Sequence, residues 1–253
     1  MTRRTHGSIF LPSPIFLGLL AVTAAGGLLA TLDASWAITT GIVLLVLGGW
    51  AVSLCLHEFG HAYVAYRGGD RSVRAKGYLT LDIRRYTDPA LSLVLPLILL
   101  LAGGLALPGG AVWINHHALR SRAVQTAVSL AGPLSNLLLG ALLALVVATV
   151  AMPLGLLVGL SYLALVQVLA FLLNILPVPG LDGFGAIEPY LSYDARRLAN
   201  TVRPWAPLAL FALLIAVPPL ARLFFDAAYE VFGAIGGEPL AAEIGADEFM
   251  FWR

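Results

Sequence analysis

Charge is what this sequence has least of. Asp, Glu, Lys and Arg make up 11% of its 253 residues, against 59% hydrophobic ones, and the mean hydropathy is +0.89. Soluble domains carry nearer a quarter charged residues, so the composition excludes an ordinary water-soluble globule and indicates a membrane protein. A net charge of +1 carries no signal for nucleic acid, and none is expected as a partner. Cysteine is almost absent. The one present, Cys55, excludes an internal disulfide framework. Two positions before His57 on a helix, it points elsewhere and reads as a small core residue. Internal repeats and low-complexity stretches are missing too, and nothing suggests a second soluble domain. Residues 1–253 read as one membrane-embedded unit.

What fills the chain is a series of apolar runs at about 15–32, 36–66, 90–112, 123–151, 154–177 and 205–225. Each is long enough, or nearly so, to cross a bilayer. The first follows Arg3 and Arg4 and could pass for a signal peptide. At about eighteen residues it is longer than a usual signal core, and a retained helix is expected. The connections at 33–35 and 151–153 are so short that the helices they join must be antiparallel neighbours. The polar segment 67–89 contains "GYLTLDI", whose alternation over Tyr78–Ile83 predicts a short strand or hairpin. The expected fold is therefore an all-α polytopic membrane protein of about five to six transmembrane helices with a small membrane-associated β-hairpin. The acidic residues between Asp226 and Glu248 read as a solvated surface.

Positive charge sets the expected topology. Arg3 and Arg4 place the N-terminus in the cytoplasm, and the arginine-rich 67–89 loop then falls on the same side. The run 90–112 carries Pro96, Gly103, Gly104, Pro108, Gly109 and Gly110, which suit a broken, re-entrant excursion shielded by neighbouring helices. If it dips and returns, Arg120, Arg122, Arg196, Arg197 and Arg203 lie inside; if it crosses, they lie outside. Charge bias favours the dip.

Against this apolar background stands "HEFGHA", residues 57–62. His57 and His61 are one helical turn apart and share a face, while Glu58 lies about 100° round the helix. This is H-E-x-x-H, in which two neutral imidazoles bind Zn²⁺ and the glutamate is a general base. Two helix histidines paired with neighbours would be the plain alternative. An ionisable group inside a bilayer costs roughly 2.5–3.5 kcal/mol, which weakens it.

Zinc needs a third protein ligand. A metzincin histidine would fall at position 67, which is Arg67, and no glutamate follows until Glu188. His116 and His117 read as interfacial polar residues, and Asp70, Asp82 and Asp88 as solvated loop residues. Asp182 differs, because it ends an apolar run where Pro177, Pro179, Gly180 and Gly183 break the helix and let the carboxylate turn inward. A turn-forming Asp-Gly is the alternative. Asp182 can join the histidines only if 90–112 returns to its own side.

Three segments, "HEFGHA" at 57–62, "AGPLSN" at 131–136 and "NILPVPGLDG" at 174–183, occur in the order and kind of spacing of the site-2 protease family of intramembrane zinc metalloproteases. The chain resembles the short bacterial members without PDZ or CBS segments, over roughly residues 36–195. The resemblance implies one Zn²⁺ per chain on His57, His61 and Asp182, with Glu58 as catalytic base. It implies that Asn136 orients substrate or helps the transition state; a helix-packing amide is the reading without it. Asn174 also matches, and a structural amide serves as well there. The implied substrates are transmembrane proteins or signal peptides, cut within the bilayer of a bacterial cell membrane near its cytoplasmic side. The strand near Tyr78–Ile83 could hold an unwound substrate by β-addition. A zinc-binding membrane protein without proteolytic activity, either a transporter or a degenerate scaffold, is the alternative. Transport predicts polar residues spread over several helices, and here they are concentrated.

Overall fold

A computed structural model describes residues 12–86 and 112–252. The 90–112 run, apart from its last residue, lies outside the described residues, as does Asp88. Ten helices are described: α1 (Pro14–Leu29), α2 (Ser35–Gly68), α3 (Ser72–Ala75), α4 (Arg122–Thr149), α5 (Leu154–Ile175), α6 (Asp182–Ile187), α7 (Tyr193–Val202), α8 (Ala206–Ala216), α9 (Pro218–Ala234) and α10 (Pro239–Phe249).

Three of them, α2, α4 and α5, are long and apolar enough to cross a membrane, and the α7–α8 pair, bent by 63°, makes a possible fourth. At 1.5 Å per residue, α2 is about 51 Å long, so it outreaches a hydrocarbon core of roughly 30 Å. Its continuity has a local cause: no proline interrupts it, and Gly69 at φ 131 ends it. The first apolar run forms α1, only 16 residues long, opened by Pro14 with the Ser13 hydroxyl accepting from the Phe16 amide. A proline in the first turn loses no helical hydrogen bond.

The centre is α5, which packs against α2, α4 and α10. Its Leu165, Val166, Val168 and Leu169 join Trp50 and Leu54 of α2 and Phe232 and Phe249 of the C-terminal helices in one buried cluster. By contrast, α4 turns Leu134, Leu138, Leu142 and Leu145 outward. That spacing of three and four is one helical stripe, left for acyl chains to cover. A second buried cluster lies under the loop after α2, where Tyr78, Leu79 and Tyr86 pack on Cys55, Ala62 and Ala65.

Three expectations need correcting here. The hairpin over Tyr78–Ile83 does not form, and there is no strand among the described residues. Instead Tyr78–Thr80 and Ile83–Arg85 are single 3₁₀ turns, with Leu81 between them at φ 56. Burial explains it: neighbours Tyr78 and Leu79 are both inside, whereas a strand would send them to opposite faces. Asp82 adds a local bond, accepting from the Arg84 backbone amide at 3.1 Å and from its guanidinium at 2.9 and 3.0 Å. Such side-chain bonds to nearby backbone compete directly with a sheet ladder. The run 205–225 is likewise two helices rather than one, because Pro218 and Pro219 start α9 and leave Val217 extended at ψ 88. Asp70 and Asp82, read as solvated, are buried.

Candidate metal centre

The site is built from α2, α4 and α6. The α2 helix supplies His57, Glu58 and His61, all buried near its C-terminal end. Asp182 arrives from the other half of the chain as the first residue of α6. It reaches the histidines because the chain folds back sharply after α5. Gly183 makes that possible: a Cβ there would lie 2.6 Å from the Leu176 carbonyl oxygen and closer still to that of Ile175. Only glycine permits so tight an approach of backbone to backbone.

The three donor atoms converge. His57 Nε2 and His61 Nε2 are 3.1 Å apart, and Asp182 Oδ2 is 3.2 Å from the first and 3.4 Å from the second. Within a tetrahedron whose metal–ligand bonds are about 2.0–2.1 Å, ligands stand roughly 3.3–3.4 Å from one another. The observed triangle is one face of such a tetrahedron. The histidines are buried, while the Asp182 side chain is 25% exposed, so the group is reached from one side.

The far nitrogen of each ring fixes its tautomer. His61 Nδ1 lies 2.7 Å from the Val128 carbonyl oxygen, which can only accept, so this nitrogen carries the proton. His57 Nδ1 lies 2.6 Å from Asn136 Oδ1. The Asn136 amide is turned that way because its Nδ2 donates to Gln167 Oε1 at 2.9 Å. With both Nδ1 atoms protonated, neutral imidazoles present bare Nε2 lone pairs toward each other and toward a carboxylate. Three electron-rich atoms meeting with no donor between them suit a cation, and two imidazoles with one carboxylate suit Zn²⁺. The clearance is fitted as well: a Cβ on Gly132 of α4 would lie 2.6 Å from His57 Nε2 and closer still to that of His61.

Glu58, 2% exposed, borders the same cavity and accepts from the Val112 amide at 3.2 Å. The cavity holds about 400 Å³ and is lined on its apolar side by Val112, Ile114, Phe184 and Phe211. Residues 112–115 form its rim in non-helical backbone. Asp70 secures that rim: its carboxylate accepts from the Asn115 amide at 2.7 Å and from the Ser72 amide and hydroxyl at 2.9 and 2.6 Å. Burial pushes the Asp70 carboxyl up, but the Ser72 and Asn115 bonds and the Lys76 charge outweigh it and hold it below the usual carboxylate range.

Of the residues singled out in the sequence, His57, Glu58, His61 and Asp182 therefore meet in one place. Asn136 sits behind His57, with both amide atoms engaged by protein partners. Asn174 lines the cavity and donates to the Ala170 carbonyl of its own helix at 2.9 Å. His116 lines the cavity and His117 does not; neither belongs to the donor group. Gln167 was not anticipated, although a signal existed. It is the amide in the middle of α5, in a helix otherwise almost wholly apolar apart from Asn174 at its end, and a polar residue so placed normally bonds to a neighbouring helix.

No family model and no solved structure matches the chain. Among curated proteins it is 43% identical over 246 residues to Rip2 of Mycolicibacterium smegmatis and 44% identical over 246 residues to Rip2 of Mycobacterium tuberculosis. Each alignment covers 95% of this chain and 94% of the relative. It is also 30% identical over 201 residues to YwhC of Bacillus subtilis, covering 73% of this chain and 89% of that one. All three carry the name "Putative zinc metalloprotease". With the three motifs and their meeting at one buried donor group, these likenesses make the chain a member of the site-2 protease family of zinc metalloproteases.

Proposed function

We propose that the chain is an intramembrane zinc metalloendopeptidase that cuts peptide bonds within or near transmembrane segments, its substrates being membrane-spanning proteins or signal peptides. One observation carries the reading. Two histidines and a glutamate stand together, buried, in a helix apolar enough to cross a membrane, and Asp182 of α6 meets the two imidazoles there to complete a group that could hold a metal. A hydrolytic centre is placed there when the bond to be cut is there too.

His57, His61 and Asp182 would hold the ion, which when bound supplies Lewis acidity and brings the pKa of a water toward about 7. Glu58 takes a proton from the attacking water and returns it to the leaving amine. The Val112 amide holds one Glu58 oxygen and leaves the other for that task. Asn136 and the Val128 carbonyl keep both rings in the ligating tautomer. Val112, Ile114, Phe184 and Phe211 provide an apolar bed for an unwound stretch of substrate helix. The substrate must unwind, because its backbone carbonyls are otherwise engaged within the helix.

The proposed setting is a bacterial cell membrane, with five to six spans, a cytoplasmic N-terminus and a core of about residues 36–195 flanked by peripheral helices. The Arg120 amide donates to the Gly68 carbonyl at 3.1 Å, so α2 ends beside the start of α4. That supports a 90–112 segment that returns to the side it left, and with it a site near the arginine-rich, cytoplasmic face.

The test is cleavage of a single-pass substrate by purified protein in lipid vesicles, wild type beside Glu58→Gln, with zinc measured in both. Cleavage by the wild type alone, at about one zinc per chain in each, is expected. A Glu58→Gln protein that cuts at the wild-type rate would remove the assigned base. Cutting confined to water-soluble peptides would remove the intramembrane reading.

A further inference from the structure

A second concentration of polar groups lies outside the proteolytic chemistry. Arg196, Arg197 and Asn200 share one face of α7 and, with His117, line a cavity of about 840 Å³. An adjoining cavity of about 430 Å³ shares His117, Arg196 and Asn200 and adds Arg122 and Gln125 from α4 and Arg203 from the α7–α8 bend. The larger cavity has no acidic lining residue. The smaller has one, Glu188, whose carboxylate is taken by Arg203. Arg122, Arg196 and Arg197 make no ion pair among the described residues.

The two cavities adjoin at His117, Arg196 and Asn200, and the three unpaired guanidinium groups that line them, Arg122 in the smaller, Arg197 in the larger and Arg196 in both, repel each other until an anion enters. The positive-inside rule asks for cations at the surface and does not ask that they line adjoining cavities. The depth of the hollow follows from the opposite face of α7. There Leu198 is 68% exposed, with Val202 one turn on and Trp205 just beyond at 70%. An amphipathic helix with a cationic face and an exposed apolar one lies in the boundary between headgroups and acyl chains. The cationic hollow then sits at the level of lipid phosphates.

We propose that these adjoining hollows, along α7 and the start of α4, together bind the phosphodiester headgroup of an anionic phospholipid. Arg122, Arg196 and Arg197 meet the phosphate charge, Asn200 and Gln125 offer neutral donors, and Leu198 and Trp205 face the acyl chains. Arginine suits the task because its planar fork matches two phosphate oxygens at once. The smaller hollow shares Glu188, Gly185 and Arg203 with the catalytic cavity, so a bound headgroup would border it. The assignment requires a membrane but no proteolysis, and so stands or falls separately from the function proposed above.

Native mass spectrometry of the full chain, released from detergent with equal phosphatidylglycerol and phosphatidylcholine, tests it. The wild type should retain phosphatidylglycerol selectively. Arg122→Gln with Arg196→Gln should lower that retention on the order of 30-fold, at about a tenfold change per 1.4 kcal/mol and roughly 1 kcal/mol per cation. The Arg→Lys pair should keep much of it, and Arg67→Gln with Arg74→Gln, exposed cations elsewhere, should keep it all. Equal retention of both lipids, or a loss as large in the Arg67 and Arg74 pair, would overturn the site. Stoichiometric binding of inorganic phosphate at millimolar concentration, displacing the lipid, would mark a soluble-anion site and overturn the lipid assignment.

Discussion

The Asn136 amide oxygen lies 2.6 Å from His57 Nδ1, on the side of the ring away from Asp182. An asparagine 79 positions along the chain thereby decides which nitrogen of His57 is free to bind a metal. Loss of such an outer partner typically costs 10–100-fold in metal affinity. Asn136→Leu should therefore weaken zinc binding within that range in a chelator competition, while Asn136→Asp, which keeps an acceptor, should retain most of it. Unchanged affinity in the leucine variant would leave His57 oriented by something else.

Gln167 acts one step further out. Its Oε1 faces the Asn136 amide nitrogen at 2.9 Å, and its own Nε2 has no partner among the described residues. A buried unpaired donor costs about 1–3 kcal/mol. Gln167→Met should thus lower zinc affinity several-fold by freeing the Asn136 amide to turn over, yet leave the metal-free protein as heat-stable as wild type or more so. Metal affinity and melting temperature falling together would mean that Gln167 is there for packing.

Gly132 faces the Nε2 atoms of both His57 and His61, with no room for a methyl group between. Gly132→Ala should reduce bound zinc to below about a tenth per chain while the protein still inserts and runs as a single species on gel filtration. Alanine favours the helix by about 1 kcal/mol over glycine, so misfolding of α4 is not the expected cause. Zinc content near one would show that the rings move aside.

Asp70 carries a pH dependence outside the membrane. Its folded pKa lies below the usual value of about 3.9. Its contribution is therefore complete above the unfolded pKa and is lost as pH falls through the lower, folded one. Asp70→Ala should destabilise the protein by about 2 kcal/mol at pH 7, the scale of a few lost charge-assisted bonds. The gap from wild type should close below about pH 4. Because Asp70 anchors the 112–115 rim that donates to Glu58, cleavage should fall as well. A gap that stays constant with pH would assign the effect to packing.

Whatever depends on residues close together in the chain could be read from the sequence. His57 and His61 are one turn apart on any helix, and the apolar runs at 36–66, 123–151 and 154–177 became helices because their length and apolar composition leave little alternative, Pro133 lying inside the second without ending it. Where local signals competed, the reading failed. Alternation over Tyr78–Ile83 suggested a strand, but burial of Tyr78 and Leu79 together under α2 and the Asp82 bonds to Arg84 gave turns. The Pro218–Pro219 pair was a visible breaker, and it divided the 205–225 run.

The site itself divides the same way. Motif spacing named His57, Glu58 and His61, since the chemistry of zinc dictates which residue types can serve, while Asp182 was suggested by the helix break around it and by the family resemblance. Only the tertiary structure brought Asp182 to the histidines across the chain, turned Asn136 toward His57, and set Gln167 behind it. The physical reason is that hydrogen bonds and coordination act over about 3 Å. Residues far apart in sequence can be assigned such contacts only after helix packing has fixed which atoms fall within that distance.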